Sequence, residues 1–367
     1  MKFSIDAKPF LNTLRKAVKA TADRSTLPML KTVLLTVTED DTLEVTTTDL
    51  ETRFRAVLAL SGILDAGSVA LHASDLIKMV SESGTINIQV VNDKAKIKTN
   101  KVDYTLQGFD ASHFPTIPNL LHENLIDIDV DTLKQMITAT HNLVNPNLTT
   151  PMGSLHIKAK NKCLRLAATN GNIMSCIQTK IEDDVDIDFL CPKNAITLIN
   201  SLLEEDEGDT TICFDKSNSQ LELQIGAYNV IAVGYQGKYP DISKFLNAKK
   251  NHTTKTKVTT RDMSDILSKA DSLMGKMEAI KLSFMNNLLV INGEGHGRSS
   301  FFAEIEAEVT GETDYTLKVC PRDFGKCIGA FTTEEIELHT SEKCHGGIIV
   351  NPVNQQMPQQ GTVAVRY

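Results

Sequence analysis

Ile5-Asp6-Ala7-Lys8-Pro9-Phe10, Ile128-Asp129-Val130-Asp131-Thr132-Leu133 and Lys257-Val258-Thr259-Thr260-Arg261-Asp262-Met263 open one pattern three times. Each stretch reads as a short strand running into a helix. The helix signature is a pair of apolar residues four apart: Phe10 with Leu14, Leu133 with Ile137, Met263 with Leu267. Further apolar positions three and four residues along complete one buried face. Pro9 suits a first helical turn. Two more signals recur around these starts, in the same order. The first is a strand, a polar turn and a second strand, at Leu43 to Leu50, Leu164 to Gly171 and Leu288 to Gly295. Alternating apolar residues broken by Gly, Asn or Asp predict hairpins. The second is another strand-to-helix start: Ala73-Ser74-Asp75-Leu76-Ile77, Pro192-Lys193-Asn194-Ala195-Ile196 and Pro321-Arg322-Asp323-Phe324-Gly325. All three signals return at offsets of about 120–130 residues, which marks an internal repeat.

The repeat sets the expected domains at 1–122, 123–249 and 250–367, with residues 247–254 as the second linker. Each unit holds two helices and many short strands, an α+β composition large enough to bury its own core. The chain of 367 residues is 41% hydrophobic and 23% charged, ordinary for a globular protein. Its net charge of −8 excludes a surface that is basic throughout. Any nucleic-acid contact must then be confined to one face. The first helix offers such a face: Arg15, Lys16 and Lys19, with no acid from Pro9 to Ala22. The acids gather elsewhere, at Glu182, Asp183, Asp184, Asp186 and Asp188 and at Glu204, Glu205, Asp206, Glu207 and Asp209. The helix after Arg261 balances Arg261, Lys269 and Lys276 against Asp262, Asp265 and Asp271.

No signal-peptide core follows Met1, and no apolar run approaches the roughly 18–20 residues of a membrane span. Cys163, Cys176, Cys191, Cys213, Cys320, Cys327 and Cys344 are scattered and odd in number, with no C-x-x-C pair. They read as reduced, buried thiols of a cytosolic protein.

Several local motifs stand in a characteristic order: Met1-Lys2-Phe3, Arg24-Ser25-Thr26-Leu27-Pro28-Met29-Leu30, Thr48-Asp49-Leu50-Glu51, Phe114-Pro115, Ala168-Thr169-Asn170-Gly171 and Gly237-Lys238-Tyr239-Pro240-Asp241. With the threefold repeat, the whole chain resembles the β subunit of bacterial DNA polymerase III, the sliding clamps. The resemblance implies three repeated DNA-clamp domains in a head-to-tail, ring-shaped homodimer, helices lining the pore and sheets outside. It implies a cytoplasmic processivity factor that encircles duplex DNA independently of sequence and has no catalysis, cofactor, metal or membrane partner. The clamp loader, the replicative polymerase and other DNA-processing proteins would dock through a short clamp-binding peptide.

Residue by residue, the resemblance places Arg24 with Arg15, Lys16 and Lys19 on DNA phosphates. It places Tyr104 and Leu106 against Leu273 at the dimer interface. Its peptide pocket maps to Pro151, Leu155, Thr169, Gly171, Asn172, Ile173, Met174, Pro240, Lys244, Phe245, Val363, Ala364, Val365 and Arg366, between the second and third domains. Thr169-Asn170-Gly171-Asn172-Ile173-Met174 stands where the family reads Thr-Asp-Gly-His/Tyr-Arg-Leu, so a charged rim group is lost. Ala364 stands where a Pro is usual. Two rival readings are an enzyme and a non-DNA scaffold on the same repeat. Gly293-Glu294-Gly295-His296-Gly297 fits no phosphate-loop pattern and lies between strand patterns. His296 has no Cys or His neighbour for a metal, and His345 sits beside Cys344 in another glycine turn.

Overall fold

Asp6, Asp129 and Thr259 each end a strand and cap the helix that follows. Asp6 Oδ1 accepts from Lys8 N at 2.9 Å, Asp129 Oδ1 from Thr132 N at 2.8 Å, and Thr259 Oγ1 from Asp262 N at 3.2 Å. These are the side chains that satisfy orphan amides at helix starts. The computed structural model describes residues 1–22, 24–80, 82–115, 124–144, 151–204, 209–215, 219–273, 278–294 and 300–366.

The element order comes round three times. The first repeat runs β1 (Lys2–Asp6), α1 (Ala7–Ala17), β2 (Thr32–Val37), β3 (Thr42–Thr48), β4 (Thr52–Ala59), β5 (Gly62–Asp65), β6 (Gly67–His72), α2 (Ala73–Met79), β7 (Thr85–Val91), β8 (Lys94–Lys98) and β9 (Asp103–Gln107). The second runs β10 (Asn124–Asp129), α3 (Val130–Thr138), β11 (Leu155–Lys160), β12 (Cys163–Thr169), β13 (Ile173–Lys180), β14 (Ile187–Cys191), α4 (Lys193–Leu203), β15 (Asp209–Asp215), β16 (Gln220–Ile225) and β17 (Tyr228–Val233). A short helix, α5 (Ser243–Asn247), and a 3-10 turn (Ala248–Asn251) precede the third. That repeat is β18 (Thr254–Thr259), α6 (Thr260–Leu273), β19 (Ile280–Met285), β20 (Leu288–Glu294), β21 (Ser300–Glu306), β22 (Glu308–Thr310), β23 (Thr316–Val319), α7 (Pro321–Ile328), β24 (Glu335–Thr340), β25 (Ile348–Pro352), β26 (Gln359–Val363) and β27 (Val365–Arg366).

Pairing recurs with the order. The opening strand of each repeat pairs with the strand after its second helix: β1 with β7, β10 with β15, β18 with β24. The next strand pairs with the one before that helix: β2 with β6, β11 with β14, β19 with β23. Consecutive repeats then join by one antiparallel pair each. β4 meets β17 from Ala56↔Tyr228 to Thr52↔Ala232, and β13 meets β26 from Ile173↔Val363 to Ile177↔Gln359.

The described residues form two compact units, one of residues 1–134 with 194–234, the other of 135–193 with 235–367. The first unit holds the sheets β5-β1-β7-β8-β9 and β10-β15-β16-β17-β4-β3-β2-β6. The second holds β14-β11-β12-β13-β26-β25-β24-β18-β22 and β21-β20-β19-β23-β27. The division runs through the middle repeat because each of its two sheets is hydrogen-bonded into a neighbouring repeat. The expected boundary near 122 lies outside the described residues. The one near 249 falls in the 3-10 turn, where Ala248 is buried and His252 Nδ1 bonds to its carbonyl at 2.8 Å.

In the first unit α1 buries Phe10, Leu11, Leu14 and Ala17, each removed from water at a gain of about 1.5–3 kcal/mol for the larger side chains. In the second, α6 packs on α7 and buries Met263 and Leu267 beside Phe324 and Ile328. All seven cysteines are free, and only Cys163 is not fully buried. Burial pushes the Cys176 and Cys327 thiols up to about 12. His296 lies outside the described residues. Among those described, no group of His, Cys, Asp or Glu could hold a metal ion, and no helix is long and apolar enough to cross a membrane.

Candidate functional site

The turn between β12 and β13 is built from its own side chains. Thr169 Oγ1 donates to the Ile173 carbonyl at 2.7 Å and accepts from Gly171 N at 3.1 Å. Asn170 Oδ1 accepts from the amides of Asn172 and Ile173, both at 3.0 Å. Gly171 has φ +95°, a backbone region that glycine enters freely. The turn then locks to the chain's end, where Ala364 N donates to the Asn172 carbonyl at 2.8 Å. Ile173 and Met174 face Val363 and Thr362 across the β13–β26 pair.

A second wall comes from residues 237–245. Tyr239 is buried with Met174, Ala167 and Ile242 in one cluster, and its hydroxyl donates to the Ala167 carbonyl at 3.3 Å. Its ring stacks on His156 at 4.5 Å between centroids. Gly237, with φ +134°, leaves no room for a side chain, since a Cβ would lie 2.8 Å from Pro151. Asp241 Oδ1 accepts from Ser243 N at 2.9 Å, which holds its carboxyl below the usual range and starts α5. Phe245 is left 42% exposed at the rim. The third wall is the turn Cys344-His345-Gly346-Gly347 from the β24–β25 connection. These walls enclose a cavity of about 440 Å³ lined by apolar side chains with few polar groups, the ordinary character of a ligand or peptide pocket.

Of the residues expected there, the cavity brings together Thr169, Gly171, Asn172, Ile173, Met174, Pro240, Phe245, Ala364 and Val365. Five expected members do not line it. Leu155 and Val363 are buried in the sheet, Pro151 backs Gly237, Lys244 is exposed, and Arg366 lies on β27 opposite Lys318. The segment from Thr362 to Tyr367, expected from the sequence as one strand closing a side of the pocket, holds parts of two strands in different sheets, β26 and β27, broken at Ala364. Sequence reading missed Met152, Ile242 and the whole 344–347 turn, and reached Thr362 only as the start of the closing strand. The turn's only signal was the glycine pair at 346 and 347, whose φ values of +89° and +85° form that wall.

Behind the second wall, His156 Nε2 lies 2.9 Å from Asp188 Oδ1, and Lys158 Nζ 2.9 Å from Asp188 Oδ2. Burial lowers the His156 pKa and outweighs the pull of Asp188. Burial also acts to raise the Asp188 carboxyl, but the bonds from Lys158 and His156 prevail and hold it below its ordinary value.

The basic residues divide. Arg15, Lys19 and Arg24 are exposed. Arg15 meets Glu82 at 3.3 Å, an open surface pair of little strength. Lys16 is 6% exposed, against its expected place on the surface. Its ammonium donates to the Tyr228 hydroxyl at 3.0 Å and lies 4.2 Å from that ring's centroid. Tyr104 and Leu106 are half-buried on β9, the last strand of its sheet. Leu273, at the end of α6, is 52% exposed.

Residues 1–118 match the N-terminal domain of the DNA polymerase III beta subunit family. The chain is 24% identical over 294 residues to the beta sliding clamp of Vibrio cholerae, covering 78% of this chain and 79% of that one. It is 21% identical over 352 residues to the beta sliding clamp of Staphylococcus epidermidis, covering 92% of each. The fold matches the DNA polymerase III subunit beta of Pseudomonas aeruginosa with a TM-score of 0.90 at 20% identity. It matches the beta subunit from Streptococcus pyogenes DNA polymerase with 0.91 at 18% identity, and in both cases all of each chain is covered. The N-terminal family match, relatives spanning nearly the whole length and the complete fold agree: residues 1–118 match the N-terminal domain of the DNA polymerase III beta subunit family, and over its length the chain is similar to the beta sliding clamps.

Proposed function

We propose that two copies of this chain close head to tail into a ring around duplex DNA. The ring then tethers a clamp loader, a polymerase and other DNA-processing proteins through a short peptide seated in the pocket beside residues 169–174. The three domains would follow the repeats, 1–122, 123–249 and 250–367, and the protein would perform no chemistry of its own.

The observation that carries this reading is the rule of the joints. β4 takes the third strand after the second helix of the second repeat, β17, and β13 takes the corresponding strand of the third, β26. The third repeat's counterpart of β4 and β13 is β21, and the first repeat's counterpart of β17 and β26 is β9. Both stand at the ends of their sheets. A second copy supplies β9 to β21, and the first returns the same contact, which closes a heterologous interface into a ring. The charges are complementary. Lys94, Lys96 and Lys98 are exposed on β8 beside β9, while Glu304 and Glu306 are exposed on β21. Tyr104, Leu106 and Leu273 would fill the apolar part of the joint.

Arg15, Lys19 and Arg24 would touch phosphates, which position a protein on DNA without reading its bases. Binding should therefore be independent of sequence and fall with salt. The relatives' name, beta sliding clamp, agrees with this function. Sedimentation equilibrium tests the ring: the expected species has twice the 40.3 kDa chain mass. A monomer at every concentration sampled would reject it.

A further inference from the structure

Across the strands β14, β11, β12 and β13, Asp188 faces Lys158, Lys158 faces Arg165, and Arg165 faces Gln178. Asp188 is already engaged: one carboxylate oxygen accepts from Lys158 and the other lies against His156. Arg165 is left opposite a like charge, which destabilises a strand pair. It is half-buried, no ion pair reaches it among the described residues, and its Nε is buried without a hydrogen-bond partner. Arg165 lines a second cavity, of about 550 Å³, together with His156, Lys158, Asp188, Lys238 and Asp241. Lys238 is exposed there and also has no ion pair among the described residues. Asp241 Oδ1 is taken by the Ser243 amide. The cavity therefore gathers more positive charge than its own carboxylates neutralise.

We propose that this second cavity binds a small phosphorylated molecule, its phosphate held by the Arg165 guanidinium and the Lys238 ammonium. A guanidinium fork fits two oxygens of one phosphate. Two cations without ion pairs call for a doubly charged partner, and a phosphate group carries a charge of about −1.5 to −2 at pH 7. A single carboxylate would neutralise only one of them. The volume lies within the roughly 300–1,000 Å³ of small-molecule sites. His156 reports on the same charge. Burial lowers its pKa, Asp188 works against that, and the Arg165 and Lys158 charges add to the lowering. An anion on Arg165 should offset that last effect and raise the His156 pKa.

The test is calorimetric titration of the full-length protein with inorganic pyrophosphate at low salt, with thermal melts and the His156 ring followed by NMR. Wild type should bind at a site that raises the melting temperature and the His156 pKa together. Arg165→Gln should weaken binding about tenfold or more. In phosphate-free buffer the same variant should melt no lower than wild type, because it removes a cation that nothing pairs; a purely structural arginine would show the reverse. Lys238→Gln, at an exposed position, should weaken binding by about threefold or more, and it carries the test if the Arg165 variant fails to fold. No binding by wild type would overturn the site. So would equal affinity in wild type and both variants, or binding that leaves His156 unmoved. A short DNA duplex that displaces pyrophosphate from wild type would make the bound group a backbone phosphate and overturn the small-molecule assignment.

Discussion

Lys16 and Met174 stand on opposite sides of what local spacing can reveal. Lys16 follows Thr13 by three residues and precedes Ala20 by four, and all three are buried on one side of the first helix. Its charge drew it to the expected DNA surface, but its position on the apolar stripe turned it to Tyr228. A cation taken out of water needs such a partner. Tyr228→Leu removes both ring and hydroxyl and should lower the unfolding free energy by about 1–3 kcal/mol. An unchanged urea midpoint would show that the contact adds nothing. Ile173 and Met174 were legible as pocket residues because apolar side chains at a turn invite a docking role. Their partners in the 344–347 turn were not, because that wall joins the site through long-range contacts, the β13–β26 pair and the bond between His252 and the Gly347 carbonyl, and periodicity carries no information about such contacts. Met174→Glu should abolish binding of a polymerase-derived clamp-binding peptide, since a carboxylate in an apolar wall has no partner. Unchanged affinity in an intact dimer would move the docking site elsewhere.

At the scale of elements, the strands β9 and β21 make the strongest claim, since both are edge strands and the lysines of β8, beside β9, complement the glutamates of β21. Lys96→Glu should weaken the dimer about tenfold, and Glu304→Lys in the same chain should restore much of it. Failure of the second change to rescue the first would argue against this register of strands. Leu273→Ala should weaken the dimer by about 2–4 kcal/mol, if that side chain is buried at the joint. Because Leu273 is half exposed in the single chain, its truncation should leave the unfolding midpoint of the protomer nearly unchanged. A dimer that sediments identically at low concentration would remove Leu273 from the interface. Element types and their order were readable from the three capped starts and the alternating strands. The sheet that joins each repeat to the next was not, because β4 and β17 meet across roughly 175 residues of chain and no local pattern encodes that pairing.

For the whole molecule, a net charge of −8 is compatible with a DNA partner where the contacting positive residues are confined to one face. A ring suits such a face, since a closed interface holds DNA even where each phosphate contact is weak. The threefold recurrence made the repeated α+β domains legible in the sequence; the ring followed only from the resemblance, and its closure depends on a second copy. The most direct measurement is retention on DNA of different topology. A clamp loader places the protein on a nicked circular plasmid, the complex is isolated by gel filtration, and a restriction enzyme then linearises the DNA. Encirclement predicts co-elution with the circle and release on linearisation. Equal retention on circular and linear DNA would mean that the protein grips its partner as an ordinary surface binder, and would contradict the ring.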